Sequence, residues 1–284
     1  MGKRPRSRYS LRMRRFFLLS VAVMALLVTY AFSEARRDPV IRRAAITIAG
    51  WPPDAVPVRI ALLSDIHLGG PAMPGWRLER IVEQVNALRP DLVLMAGDFI
   101  SGHDPVAGAR AAARLGAPLS RLRARYGVVA VLGNHDHWTA PALVRAQLAR
   151  AGVTLLMNQV VRRGPLTVGG VDDPFTDRDR VGDVVARMAR PGLILSHSPD
   201  VAPRTPQGTL LLAGHTHCGQ IVLPGVGPAV LTSPLLGRRL YDPNYRCGVV
   251  RHDGRVVVVT AGLGASLPLR LGAPPDVWML TLGP

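Results

Sequence analysis

The 284-residue chain carries 35 Lys+Arg against 19 Asp+Glu, a formal charge of +16, yet only 5% of it is aromatic. With one lysine and no interleaving of basic and aromatic residues, it lacks the makings of a base-stacking nucleic-acid surface, and no nucleic-acid partner is expected. Two cysteines exclude a disulfide framework or a cysteine-rich metal site and allow at most one intrachain bridge.

Residues 1–15 form a basic segment containing Lys3, Arg4, Arg6, Arg8, Arg12, Arg14 and Arg15. Residues 16–32 follow without a charge, a 17-residue run that would cover about 25 Å as a helix. Its all-round apolarity predicts a transmembrane anchor rather than a buried soluble helix. A cleaved signal peptide is the closer rival, but the run is long for a signal core and no clean Ala-x-Ala follows. Arg14-Arg15-Phe16 only faintly resembles a twin-arginine export signal. Residues 33–49 read as a juxtamembrane linker, with Arg36, Arg37, Arg42 and Arg43 diluted by Glu34 and Asp38. The positive-inside tendency then places the amino terminus in the cytoplasm and the remaining chain on the outer face of the cell membrane. Residues 1–47 hold 11 basic and 2 acidic residues, so most of the charge excess lies where anionic headgroups would attract it.

Residues 50–284 are long enough for one α/β domain. Five short Val/Ile/Leu-rich runs there end in polar side chains: Ala61 to His67, Leu92 to Asp98, Val128 to His135, Leu193 to His197 and Leu210 to His217. Each reads as a buried strand, and strands of a parallel or mixed sheet present their carboxyl ends along one crevice. Between them, Trp76 to Leu88 reads as a helix ended by Pro90, and Pro141 to Arg150 as a second one. Val249 to Val259 reads as a hairpin turning at His252-Asp-Gly254, with His252 a turn residue.

The side chains at those strand ends suit two divalent cations. Asp65, His67, Asp98 and His217 would make one site; Asp98, Asn134, His197 and His215 would make the other, with Asp98 bridging. The mixed nitrogen and oxygen donors favour Mn, Fe or Zn and leave coordination positions open for catalysis. His135 is not needed in either sphere, which makes it the candidate to protonate or stabilise a departing oxygen. Asp136 is expected either to orient His135 or to cap a turn. His137 would meet a substrate phosphate or stand partly exposed beside Trp138. Asp172 and Asp173 would shape the rim of the pocket or form a turn. Cys218, although next to His217, is expected to point away from the cations.

Asp65-x-His67, Gly97-Asp98, Gly133-Asn-His-Asp136, His197 and Gly214-His-Thr-His217 together resemble the calcineurin-like metallophosphoesterases, in particular a membrane-associated or exported branch. The resemblance continues through Gly262-Leu-Gly and Leu271 to Leu282. It implies a four-layer sandwich of two mixed β-sheets flanked by α-helices, and two-metal phosphoester hydrolysis with Asp98 bridging and His135 near the leaving group. Cys218 departs from the small residue usual before Gly219-Gln220. The anchor, the basic juxtamembrane stretch and the two-metal crevice together suggest a lipid-linked, envelope or small phosphorylated substrate, and the resemblance reaches toward enzymes that cleave the pyrophosphate of UDP-2,3-diacylglucosamine. An exported phosphomonoesterase and a non-catalytic protein-binding scaffold are the alternatives.

Overall fold

Runs of Val, Ile and Leu between turn-forming residues give strands buried on both faces, and in the computed structural model they build two six-stranded mixed sheets. The structure describes residues 8–232, 237 and 239–284. The first sheet has the order β1-β14-β2-β3-β4-β5, made of Val40–Thr47, Asp276–Gly283, Val58–Leu63, Leu92–Ala96, Val128–Val131 and Thr154–Leu155. The second has the order β12-β13-β9-β8-β7-β6, made of Gly248–His252, Arg255–Val259, Leu210–Ala213, Gly192–Leu195, Leu166–Gly170 and Gln159–Arg163. A short hairpin, β10 (Val222–Leu223) with β11 (Gly227–Pro228), stands apart.

One core lies between the sheets, where Ile60, Leu62, Leu94 and Val131 meet Val168, Leu195 and Leu212. A second lies between the first sheet and its helices: α2 (Gly75–Ala87), α3 (Pro105–Ala112), α4 (Gly116–Leu119) and α6 (Pro141–Arg150). On α2, Leu78, Ile81, Val82 and Val85 recur at helical spacing and are all buried. A third core backs the second sheet and includes Val181 and Val184 of α7 (Val181–Val185). The expected helices, the five strands and the carboxyl-terminal hairpin are all present, in a sandwich with helices on its outer faces.

The amino-terminal helix α1 (Arg8–Arg36) is longer than the expected anchor, and its stretch Arg12–Arg36 is long and apolar enough to cross a membrane. The basic residues Lys3, Arg4 and Arg6 lie outside the described residues. The expected linker is corrected: residues 40–47 are a full strand, β1, paired in parallel with β14 from Val40↔Asp276 to Thr47↔Gly283. Its charged residues disguise it because it is an edge strand with a single neighbour: Arg43 is exposed, while Arg42, on the other face, pairs with buried Asp276. Because β14 runs antiparallel to β2, the start of β1 lies at the end of β2. The apolar helix therefore joins the sandwich at the edge where β2, β3 and β4 stop.

Candidate metal centre

At that edge the chain turns sharply. Asp65 (φ 50°), His67 (50°), Asp98 (55°), His215 (69°) and His217 (48°) all adopt left-handed backbone conformations that non-glycine residues seldom take. Strain collected on five candidate ligands is characteristic of functional sites, where surrounding contacts hold the chain in place. Two glycines make room for these turns. Gly97 (φ 82°) presses so closely on Leu132 and Gly133 that a Cβ would stand 2.6 Å from the Gly133 nitrogen, and a Cβ on Gly214 would collide with Ser64 and Asp65.

The side chains so aimed converge. His67 Nε2 lies 3.3 Å from His217 Nε2, 3.6 Å from Asp98 Oδ2 and 3.8 Å from Asp65 Oδ1. His217 Nε2 is 3.5 Å from Asp65 Oδ1. On the other side, His197 Nε2 lies 3.3 Å from Asp98 Oδ2, 3.1 Å from Asn134 Oδ1 and 3.2 Å from His215 Nδ1. Asp98 Oδ2 thus faces both groups. Asp65, His67 and His217 form one cluster able to hold a divalent ion, and Asp65, Asp98 and His197 form another. Asp65 reaches toward both, where the sequence suggested it for one. His135 also falls within ligand distance of His67 and Asp98, in a third overlapping group.

Hydrogen bonds around these groups fit cation binding. His197 Nδ1 donates to the Ala96 carbonyl (2.7 Å) and His215 Nε2 to that of Leu240 (2.9 Å), so the other nitrogen of each ring, Nε2 of His197 and Nδ1 of His215, is the one turned toward the cluster. Asp65 Oδ1 is buried without a hydrogen-bond partner, a costly position that a cation would relieve. Burial lowers His67 and His215 to about 3 and His217 well below its ordinary value, keeping these rings neutral, and raises Asp65 to about 6. For His197, burial opposes protonation, but the Asp98 carboxylate overrides it and holds the ring well above its ordinary value. Burial likewise works against ionised Asp98, which His197, His135 and His67 together keep well below the carboxylate range.

His135 opens onto the site from α5 (Asn134–Thr139). Its Nδ1 donates to the Gly102 carbonyl at 2.8 Å, so a main-chain group orients the ring. Asp136 takes the capping alternative: its carboxylate accepts the main-chain N–H groups of Phe99, Ile100 and Gly133, tying the loop after β3 to the start of the helix that carries it. The expected rim residues also lie elsewhere. His137 Nε2 pairs with Asp172 Oδ1 at 2.8 Å, while Asp173 is fully buried, its pKa raised by that burial. None of the three lines the cavity of about 690 Å³ bounded by Asp98, Asn134, His215 and His217.

Aromatic and apolar residues wall that cavity instead, among them His103, Trp138, Phe175, Tyr241 and Leu267. His103 stacks on Trp138 and sits 4.9 Å, ring to ring, from His135. A histidine five residues beyond Asp98 was a legible signal for it. Nothing local marked Arg270, which is fully buried, donates to the carbonyls of Ala261 (2.7 Å) and Gly264 (2.6 Å), and stands 3.2 Å from His217 Nδ1. Cys218 is disulfide-bonded to Cys247 and packs with Ala261 and Ala273, so its sulfur is committed to a structural bridge.

The calcineurin-like phosphoesterase profile matches residues 58–219, which contain every one of these candidate ligands. The chain belongs to the calcineurin-like phosphoesterase family. It is 28% identical to a "Transmembrane protein with metallophosphoesterase domain" of Danio rerio and 30% identical to a protein of the same description from Bos taurus; each alignment covers 93% of this chain and 62% of the relative. It is 29% identical to "Uncharacterized metallophosphoesterase YkuE" of Bacillus subtilis (strain 168), over 79% of this chain and 78% of that one. The chain thus spans less than two thirds of the two vertebrate relatives' length. The matched residues include both donor clusters, each able to hold a divalent ion.

Proposed function

We propose that this phosphoesterase is a membrane-anchored hydrolase that uses two divalent cations, Mn, Fe or Zn, to cleave a phosphate ester or pyrophosphate on a lipid-linked or envelope substrate. The observation that carries this reading is the convergence of Asp65, His67, Asp98, Asn134, His197, His215 and His217, of which Asp98, Asn134, His215 and His217 line one cavity, with Asp98 facing both halves. When bound, the cations supply charge neutralisation at phosphate oxygens and a water acidified for in-line attack.

The chain's own groups do the rest. Asp98 holds the two halves in register, and its Oδ1 accepts the His135 main-chain N–H at 2.9 Å. With Nδ1 committed to Gly102, His135 presents Nε2 to the cavity, where it can pass a proton to the leaving oxygen. His67 and His215, kept neutral by burial, serve as nitrogen ligands across the neutral pH range. Trp138, Phe175, Tyr241 and Leu267 offer an apolar wall that suits the hydrocarbon or aglycone part of a substrate better than a bare phosphate. The anchor would be α1, with the amino terminus cytoplasmic and the sandwich on the outer face.

Hydrolysis of bis-p-nitrophenyl phosphate and p-nitrophenyl phosphate by metal-reconstituted protein tests the chemistry, and a panel of lipid phosphates then tests the substrate class. Turnover of neither chromogenic ester by protein carrying two metals would favour a scaffold instead.

A further inference from the structure

We propose that the apolar rim of the cavity rests in the headgroup layer of the bilayer that α1 crosses, so that the candidate site opens onto lipid. This rests on α1 being an anchor, and it gives the proposed substrate class a route to the site.

Outside α1, five of the nine large exposed apolar side chains among the described residues come together, while Val56, Trp76, Val106 and Val249 fall in four other segments. Leu223, Val226, Val230, Leu231 and Leu267 come from two segments, the β10–β11 region and the loop before β14; Val226 is 80% exposed and Leu267 51%. Hydrogen bonds join the segments: Val222 N–H donates to the Leu271 carbonyl (2.8 Å), and Gln220 Nε2 to the carbonyls of Leu267 (2.8 Å) and Leu269 (3.1 Å). A held apolar patch of this kind marks an interaction surface, because leaving it in water forfeits roughly 25 cal/mol per Å².

Continuity with α1 identifies the occupant. The main-chain N–H of Arg270 donates to the Ala31 carbonyl at 2.9 Å, and Ala31 and Ala35 are buried against the sandwich while the apolar residues preceding them in the helix are exposed. Leu267 is three residues from that contact, a span of at most about 11 Å. On another flank of the helix end, exposed Trp76 lies under the guanidinium groups of Arg36 (6.0 Å) and Arg80 (5.3 Å), a pairing suited to headgroup depth. The strand topology agrees, since α1 leads into β1 at the edge carrying the metal ligands, whereas Val56 lies before β2 at the opposite edge. Val230 and Leu267 line both the patch and the cavity, so a phosphate held by acyl chains could enter without leaving the membrane.

The test uses the full-length chain in phosphatidylcholine–phosphatidylglycerol vesicles. A nitrobenzoxadiazole label is attached to V226C, with V56C as control; the two native cysteines are paired. The label at 226 should be quenched by bromine-substituted acyl chains and shielded at least twofold from aqueous iodide relative to the label at 56. Equal iodide quenching at both positions would overturn the proposal. This readout needs no turnover, so it remains decisive if the hydrolase reading fails. Val226→Glu, or Leu223→Glu as a second variant, should cut kcat/KM on a vesicle-borne phosphate ester about tenfold and leave soluble bis-p-nitrophenyl phosphate unaffected. Loss on both esters, or on neither, in active protein would refute delivery from the bilayer.

Discussion

The carboxylate of Asp98 accepts the main-chain N–H of His135 at 2.9 Å, so the residue placed between the two donor clusters also sets the start of the helix that carries the candidate acid. Asp98→Asn (D98N) removes the shared anionic oxygen and leaves a neutral amide facing both halves. Metal content should fall below two per chain and turnover by roughly 10³-fold, the scale of several kcal/mol of lost charge stabilisation. Elemental analysis paired with kinetics measures both. Normal occupancy with normal turnover is incompatible with a bridge.

His135→Ala (H135A) should separate metal binding from proton transfer. The ring lies beside the donor clusters with its Nδ1 held by Gly102, so its removal should spare most of the metal while lowering kcat by about 10²–10⁴-fold. The deficit should shrink for a p-nitrophenolate leaving group, which needs little protonation. Equal losses for good and poor leaving groups would reassign His135 to charge stabilisation, and parallel metal loss would make it a ligand.

Cation loading should release protons, with a pH dependence set by two residues. Metal-free His197 is held protonated well above its ordinary value by Asp98, yet a ligand must offer a free lone pair, so loading at pH 7 should displace about one proton. Asp65, raised by burial to about 6, is ionised at pH 7 but takes up a proton below pH 6. Each unit of pH below that point then costs a further factor of about ten in affinity, and proton release should approach two. Titration calorimetry in buffers of different ionisation enthalpy reads the count directly. A release that does not change between pH 5 and pH 7 would exclude Asp65 as a ligand.

The candidate ligands were legible because they sit at the ends of buried strands: β3, β4, β8, β9 and β2 from Ile60 onward are apolar runs, and each stops within a few residues of a polar candidate. Supporting residues were less so, since their roles depend on contacts distant in sequence. Asp172 reads as a rim residue until His137 is found against it, and Arg270 has no local pattern that predicts complete burial among loop carbonyls. β1 was hidden for a related reason. An edge strand beside a membrane helix can be as charged as a linker, and only its pairing with β14, more than 200 residues away, distinguishes the two.

Arg77 should prove a structural link between α1 and the sandwich. Its Nε and Nη2 donate to the Arg36 and Arg37 carbonyls at 3.1 and 2.7 Å, while Nη1 donates to Leu263 at 2.9 Å. Arg77→Met (R77M) keeps much of the side chain's bulk and strips those carbonyls of a buried donor, at about 1–3 kcal/mol for each group left unsatisfied. The expected signs are a lower Tm and faster tryptic cleavage at Arg36 and Arg37, with two metals still bound. Unchanged cleavage would mean that the helix end is held by other contacts.

Where the chain is cut should decide whether the sandwich survives without its anchor. The full-length protein should stay in membranes through a high-salt wash, because burial of α1 is not an ionic interaction. A chain starting at Ser33 retains the Arg36 and Arg37 carbonyls, the Arg37–Glu34 ion pair and all of β1, and it should disperse and unfold cooperatively. A chain starting at Ile48 loses β1, leaving the backbone of β14 unpaired along its eight-residue register and Asp276 without the Arg42 partner 2.7 Å away. An open apolar edge of that length invites pairing between molecules, so the shorter chain should aggregate. Size-exclusion chromatography and thermal unfolding of the two chains side by side provide the comparison. Equal solubility and Tm would mean that β1 contributes nothing to the fold, and the boundary of the domain would return to residue 50.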